Sequence, residues 1–241
     1  MAERRLVFLH GWAQSRQVWF QQRACFPDGL FLNLPGHGGA PDVDAEAWVD
    51  VLAEQLPDEA CTLVGWSLGG MLAMALAERF PDKVASMALI ATTPRFRVGD
   101  GWLYGCDEAV FSAFAEAAAS ASLKTLNRFF ALMLHGDGWS RADYNELARM
   151  AVDREQRTSA AGLAEGMKLL AALDLRQSLP QQPALLVHGE QDAIVPVTAG
   201  RWLAGQMHSN DLFFPGACGH APFLTRADEF NTLLKRWWQQ S

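Results

Sequence analysis

The sequence predicts an α/β fold: a mostly parallel sheet flanked by helices, interrupted by one helical insertion. Two patterns predict it. Short apolar runs alternate with stretches of helical spacing, which implies strands in a sheet covered on both faces. Between about residues 96 and 170 the strand signal stops while helical spacing continues, and strands then return.

Residues 6–9, Leu-Val-Phe-Leu, read as a buried strand ending at His10-Gly11. Residues 31–34 read as a second strand, stopped by Pro35-Gly36-His37-Gly38-Gly39. A helix over 45–56 follows, with Trp48, Val51, Leu52 and Leu56 at helical spacing. Residues 61–65 form a third strand, which runs through Trp66-Ser67-Leu68-Gly69-Gly70 into a helix over 71–79, ended by Pro81. Residues 84–90 are a fourth strand. Helical segments at 111–121, 123–134, 141–152 and 158–170 then make up a cap, or lid, over 96–170. It divides one core into a first part, 1–95, and a second part, 171–241. Strands resume at 184–188 and 211–214, and a helix over 227–239 closes the chain. There is no internal repeat and no low-complexity linker.

The 241 residues are half apolar, enough for one large core. A formal net charge of -7 argues against a nucleic-acid binder, which carries a basic face. No apolar run reaches the roughly 18 residues that span a bilayer, and Met1-Ala2-Glu3-Arg4-Arg5 lacks the features of a signal peptide. Cys25, Cys61, Cys106 and Cys218 form no CxxC pair, so zinc and redox spacing is absent and four reduced thiols in a cytoplasmic protein are expected. The nine tryptophans are packing residues, some of them lining an apolar pocket.

Gly65-Trp66-Ser67-Leu68-Gly69 matches G-x-S-x-G, and its context, an apolar strand before and a helix after, gives the match its weight. Such a turn strains the serine backbone and lifts the hydroxyl clear of the sheet. A serine needs a base to take its proton. His220, in a Gly-rich loop after the last strand, is the candidate base. The other histidines have structural readings: His10 organises loop backbone, His37 lies in a turn, His188 packs at a strand end, and His135 and His208 are surface positions. Asp192, after the strand that ends at His188, is the candidate carboxylate to orient the imidazole, with Glu190 as its alternative. The backbone N–H groups of Leu68 and Trp12 are the candidate oxyanion donors, each worth roughly 3 kcal/mol of transition-state stabilisation. The order serine, acid, histidine is that of α/β-hydrolases.

Leu9-His10-Gly11-Trp12, Leu34-Pro35-Gly36-His37-Gly38, Gly65 to Gly70, Gly189-Glu190-Gln191-Asp192 and Gly219-His220-Ala221-Pro222-Phe223 fall in the order of the α/β-hydrolase superfamily, which the chain resembles along nearly its whole length. Within it, the chain most resembles the methyl ester esterases that act on pimeloyl-[acyl-carrier protein] in biotin synthesis. The features are H-G-W, G-W-S-L-G-G, Arg128-Phe129-Phe130-Ala131-Leu132, Asp174-Leu175-Arg176, and His-Ala-Pro-Phe followed by Asp228-Glu229-Phe230.

The resemblance implies a serine esterase with no metal and no organic cofactor, a monomer whose transient partner is an acyl carrier protein bearing a pimeloyl methyl ester. Carrier proteins are acidic, so a basic docking face on the cap is implied. Lys124, Arg128 and Arg141 match basic positions of the related caps, whereas a further one is Asn145 here. A solvated mixed-charge face is the alternative, since Asp137, Asp143, Glu146, Asp153, Glu155 and Glu165 balance the cap's cations. Trp12, Phe129 and Phe130 are candidate substrate-binding residues. Only nine residues precede His10, so the sheet is expected to lack the N-terminal edge strands usual in the superfamily. Rival readings are a generic short-chain carboxylesterase or thioesterase, a lyase of the kind used in menaquinone synthesis, and a non-catalytic binding module. A dehalogenase is disfavoured because its chemistry wants a carboxylate where Ser67 stands.

Overall fold

The computed structural model describes residues 4–99, 101–120, 130–151, 158–207, 209–214 and 216–240. Six strands form one sheet: β1 (Leu6–Leu9), β2 (Leu30–Leu32), β3 (Cys61–Trp66), β4 (Val84–Ile90), β5 (Ala184–Gly189) and β6 (Ser209–Phe214), in the order β2-β1-β3-β4-β5-β6. Every pairing is parallel. Parallel sheets need helices on both faces, and the residues of β1, β3 and β5 are accordingly all buried. Among the described residues β2 and β6 are the outer strands of this sheet.

The chain leaves β1 toward β2 on one side and returns to place β3 on the other, so strand order reverses between β1 and β3. Such a switch point opens a crevice at the carboxyl ends of the strands, the usual place for a ligand in an open α/β sheet. The register pairs Leu9 with Gly65, Trp66 with Ile90, and Gly189 with Phe214, so the loops after β1, β3, β5 and β6 emerge at one edge.

Some element boundaries differ from the sequence reading. The second strand stops at Leu32, not Leu34. Asn33 gives its side chain to the loop, accepting from the Arg16 amide at 2.8 Å and donating to the Gly38 carbonyl at 2.9 Å, and the Leu34 amide is taken by His10 Nε2. The helix expected over 45–56 is a 3-10 turn, Ala45–Ala47, followed by α-helix Trp48–Glu54. The helix after β3, Leu68–Arg79, begins three residues early, directly after Ser67. Helix Val197–Gln206 was not anticipated; its buried side is Ala199, Gly200 and Leu203, too small a face to give an apolar period. Short helices at Arg16–Trp19 and Phe20–Cys25 were also unforeseen.

Between β4 and β5 the described residues form helices Glu108–Ser120, 130–133, Arg141–Ala151 and Ala160–Ala172, with only isolated bridges besides. Most of the helix expected over 123–134 lies outside the described residues. The two stems of this insertion meet: Arg95 pairs with Asp174 at 3.0 Å, and the Leu175 amide donates to the Pro94 carbonyl at 2.9 Å. No helix among the described residues is long and apolar enough to cross a membrane.

Helix Ala160–Ala172 docks on the Pro35–Gly39 loop by direct backbone contact. A Cβ on Gly162 would lie 2.6 Å from the Gly36 Cα and carbonyl oxygen, and one on Gly36, whose φ is +68, would strike the Gly162 Cα. Ser159 locks the joint. Its amide donates to the Gly36 carbonyl at 2.8 Å, its hydroxyl to Asp42, and its Oγ accepts from the Gly162 amide at 2.8 Å. This sets up a contrast within one residue type. Gly→Ala in an open helix stabilises by about 0.5–1 kcal/mol, and Gly205, with nothing within 4 Å, should behave so. Gly162→Ala should instead destabilise by about 1–3 kcal/mol, the usual cost of overpacking. Urea midpoints of the two variants check the opposite signs.

Candidate active site

β3 runs through Trp66 into Ser67, whose φ of 55 and ψ of -119 lie outside the ordinary basins of an L residue. Such a conformation costs about 1–3 kcal/mol and persists only where neighbours over-determine it. Here the Ser67 amide donates to the Ile90 carbonyl at 2.9 Å, and the Ser67 carbonyl accepts from the Gly70 and Met71 amides and from the Thr92 hydroxyl at 2.7 Å. Gly69 lets the turn press onto the loop after β1, since a Cβ there would meet the Leu9 carbonyl and lie 2.5 Å from that of His10. The half-buried Ser67 side chain does not cap the helix it introduces. The Leu68 amide is the first of that helix, where N–H groups have no intrahelical acceptor.

Asp192 and His220 come together. His220 Nδ1 donates to Asp192 Oδ2 at 2.7 Å, with both side chains buried. Oδ1 of Asp192 accepts from the Ile194 and Val195 amides at 2.8 and 2.9 Å. Oδ2 also lies 3.1 Å from His188 Nε2, which donates to the Val195 carbonyl at 2.9 Å as well. Burial alone would raise the Asp192 pKa; the charge of His220 and hydrogen bonds from both imidazoles outweigh it and hold the carboxyl well below the usual carboxylate range. Glu190, the alternative carboxylate, is instead in a partly exposed ion pair with Arg201 at 2.5 Å. His188 is the packed histidine the sequence suggested, but its bond to Asp192 was not foreseen; the clue was its place four residues upstream.

The histidine loop sits beside the serine turn. The Trp66 indole N–H donates to the His220 carbonyl at 2.8 Å, and the two rings are 5.5 Å apart. With Nδ1 committed to Asp192, Nε2 is the nitrogen left for chemistry. The described hydrogen bonds include none from the Ser67 hydroxyl to that nitrogen; such bonds are often long before substrate binds.

Trp12 follows β1 in the loop that Gly69 abuts. Its buried indole donates to the Leu163 carbonyl of helix Ala160–Ala172 at 3.0 Å, and its ring lies 6.4 Å from that of Phe114. Two buried histidines hold this loop in shape. His10 Nδ1 donates to the Gly11 carbonyl and Nε2 accepts from the Leu34 amide at 3.0 Å. His37 Nδ1 donates to the Pro35 carbonyl and Nε2 accepts from the Ala13 amide at 3.2 Å. Each role needs a neutral ring.

The remaining sequence candidates are less collected. Phe130 is fully buried with its ring 5.9 Å from Tyr144, a core position of the insertion. Arg141 opens helix Arg141–Ala151. Lys124, Arg128 and Phe129 lie outside the described residues. Cys218 is buried, and burial, followed by the charge of Asp137, pushes its thiol up to about 12, in keeping with a packing residue. No group of three or more His, Cys, Asp or Glu suited to a metal occurs among the described residues.

The family model described as alpha/beta hydrolase fold matches residues 4–227. The pimeloyl-[acyl-carrier protein] methyl ester esterase of Aromatoleum aromaticum is 40% identical over 242 residues, covering 95% of this chain and 96% of that one. The protein of the same name from Shewanella woodyi is 36% identical over 241 residues, covering 96% and 93%. Among solved structures, an esterase from Exiguobacterium antarcticum has a TM-score of 0.84 at 21% identity, covering 98% of this chain and 92% of that one, a likeness of fold.

The two loop histidines predict an acid sensitivity. Burial, and for His10 next the charge of His37, lowers the pKa of His10 to about 3; burial lowers that of His37 to about 4. In the unfolded chain both take protons below the ordinary value of 6.5. Between those limits the unfolded state binds more protons, so stability is full above about 6.5 and falls as pH drops toward 4, by roughly 2 kcal/mol per histidine at pH 5. Urea midpoints measured from pH 7 to pH 4.5 check this, and His37→Gln should flatten the slope.

Proposed function

We propose, because this chain belongs to the alpha/beta hydrolase family and within it to the pimeloyl-[acyl-carrier protein] methyl ester esterases, that it hydrolyses the methyl ester of a pimeloyl chain carried on acyl carrier protein. It does so as a serine carboxylesterase. The observation that carries the reading is the buried Asp192–His220 hydrogen bond beside the strained Ser67 turn.

The proposed chemistry follows from that arrangement. Ser67 Oγ attacks the ester carbonyl carbon while His220 Nε2 takes its proton. The tetrahedral oxyanion is held by the Leu68 and Trp12 amides. Asp192 stabilises the imidazolium and stays ionised. Collapse breaks the bond to the methoxy oxygen, and His220 returns the proton so that methanol leaves. A water, deprotonated by the same nitrogen, attacks the acyl-serine carbonyl; collapse breaks the bond to Ser67 Oγ, which takes the proton back from His220, and the acid product leaves and ionises. The helical insertion over 96–170 acts as the cap of this site, with Trp12 forming part of the wall.

Ser67→Ala should cut hydrolysis of a p-nitrophenyl ester by roughly 10⁴-fold or more, and Asp192→Asn by roughly 10⁴-fold through loss of the correct imidazole tautomer. Undiminished turnover in Ser67→Ala would remove the nucleophile assignment.

Substrate choice needs a second comparison. Turnover of pimeloyl methyl ester on carrier protein should exceed that of short free esters. Lys124→Glu with Arg128→Glu should weaken the former by about tenfold or more and the latter little, because charge complementarity acts mainly on the encounter with a charged partner. Equal effects on both substrates would dismiss docking on the cap cations. Equal rates for both substrates in the unmodified chain would turn the reading to a generic carboxylesterase.

A further inference from the structure

The segment 130–138 of the insertion is bonded to the loop that carries His220. The His220 amide donates to the Met133 carbonyl at 3.0 Å. The Gly219 amide donates to Asp137 Oδ1 at 3.1 Å, and the Thr225 hydroxyl donates to the same oxygen at 2.8 Å from the short helix Pro222–Thr225 that follows the loop. Gly219 is pressed so closely against this segment that a Cβ on it would lie 2.5 Å from the His135 carbonyl oxygen and 2.9 Å from Asp137 Oδ2. Asp137 is 7% exposed, and its Oδ2 is buried with no hydrogen-bond partner among the described residues.

Burying a carboxyl group is costly unless it is hydrogen-bonded, and Asp137 spends its hydrogen bonds on the histidine loop and the helix after it. What the carboxylate does have is position. Its one bonded oxygen ties together the residue before His220 and the helix after it, and the Met133 carbonyl holds His220 itself. Burial raises the Asp137 pKa, with the hydrogen bonds from Thr225 and Gly219 opposing it. We propose that Asp137 is a positioning residue for His220: it clamps the histidine loop from the insertion, as Asp192 orients the ring from the core. It acts through the Gly219 backbone and touches neither substrate nor reacting atoms. The inference rests on the reading of His220 as general base given above.

The test is hydrolysis of a p-nitrophenyl ester by the full chain carrying Asp137→Ala, Asp137→Asn or Thr225→Val, with Ser67→Ala alongside. Asp137→Ala should lower kcat by about tenfold or more with KM nearly unchanged, as expected for a catalytic group displaced by a fraction of an ångström. Asp137→Asn keeps an oxygen for the Gly219 amide and should restore most of kcat. The downfield proton signal of His220 Nδ1–H, read by NMR, should move or broaden in Asp137→Ala and return in Asp137→Asn. Unchanged kcat and an unchanged signal in folded Asp137→Ala, or a loss that Asp137→Asn does not recover, overturns the proposal. If Asp137→Ala does not fold, Thr225→Val decides it: a several-fold fall in kcat at unaltered Tm supports the clamp, and wild-type kcat refutes it. Ser67→Ala reports on the underlying reading separately, since undiminished activity there discards the reading whatever Asp137 does.

Discussion

A buried carboxylate with every lone pair occupied is the constraint on which the rest of this site depends. Moving an unpaired carboxylate into a low-dielectric interior has an idealised cost on the order of 20 kcal/mol. Asp192 avoids it with four donors, two backbone amides on one oxygen and two imidazoles on the other. The amides come from the turn that immediately follows Asp192, so the chain supplies half of the solvation locally. The other half comes from His188 at the end of β5 and from His220 in the loop after β6. That second pair is what ties the two loops together, and it leaves a single imidazole nitrogen of His220 for the proposed proton transfer.

The parallel sheet makes such a meeting cheap to arrange. All its strands end toward one edge, and the order reverses between β1 and β3, so the serine turn and the loop after β1 face each other across a gap set by backbone contact. Those loops carry polar backbone groups that water cannot reach. Two neutral imidazoles, His10 and His37, accept from one amide and donate to one carbonyl each, bridging chain segments 24 residues apart. Histidine suits this work because its two nitrogens act as donor and acceptor on opposite sides of one rigid ring. The strained Ser67 backbone is then held by β4 and Thr92 behind it, not by its own side chain.

Much of this was legible in the sequence, and the exceptions have physical reasons. Strands buried on both faces show as unbroken apolar runs, so β1, β3, β4 and β5 were readable to within a residue. Ser67, Asp192 and His220 stand out because each follows a strand in a glycine-containing turn. The end of β2 was misplaced because Asn33 and Leu34 look strand-like but spend their hydrogen bonds on the loop. Helix Val197–Gln206 left no period because its inward side is mostly alanine and glycine. Asp192 and Glu190 are alternatives in one dimension; in three, Asp192 meets His220 and Glu190 meets Arg201. The grip of Asp137 on Gly219 joins residues whose partnership no spacing rule encodes, across 82 positions.

The insertion holds both loops on which the proposed chemistry depends. Through helix Ala160–Ala172 it reaches the first: Leu163 takes the indole proton of Trp12, and Gly162 is seated on Gly36. Through residues 130–138 it reaches the second, at Gly219 and His220. Its stems are closed on each other by Arg95 and Asp174. A segment fastened at three such places cannot shift as a loose flap without disturbing a backbone amide proposed for the oxyanion or the ring proposed for the proton. On the proposed reading, the seat of helix Ala160–Ala172 and the grip of residues 130–138 couple the insertion to the geometry around Trp12 and His220.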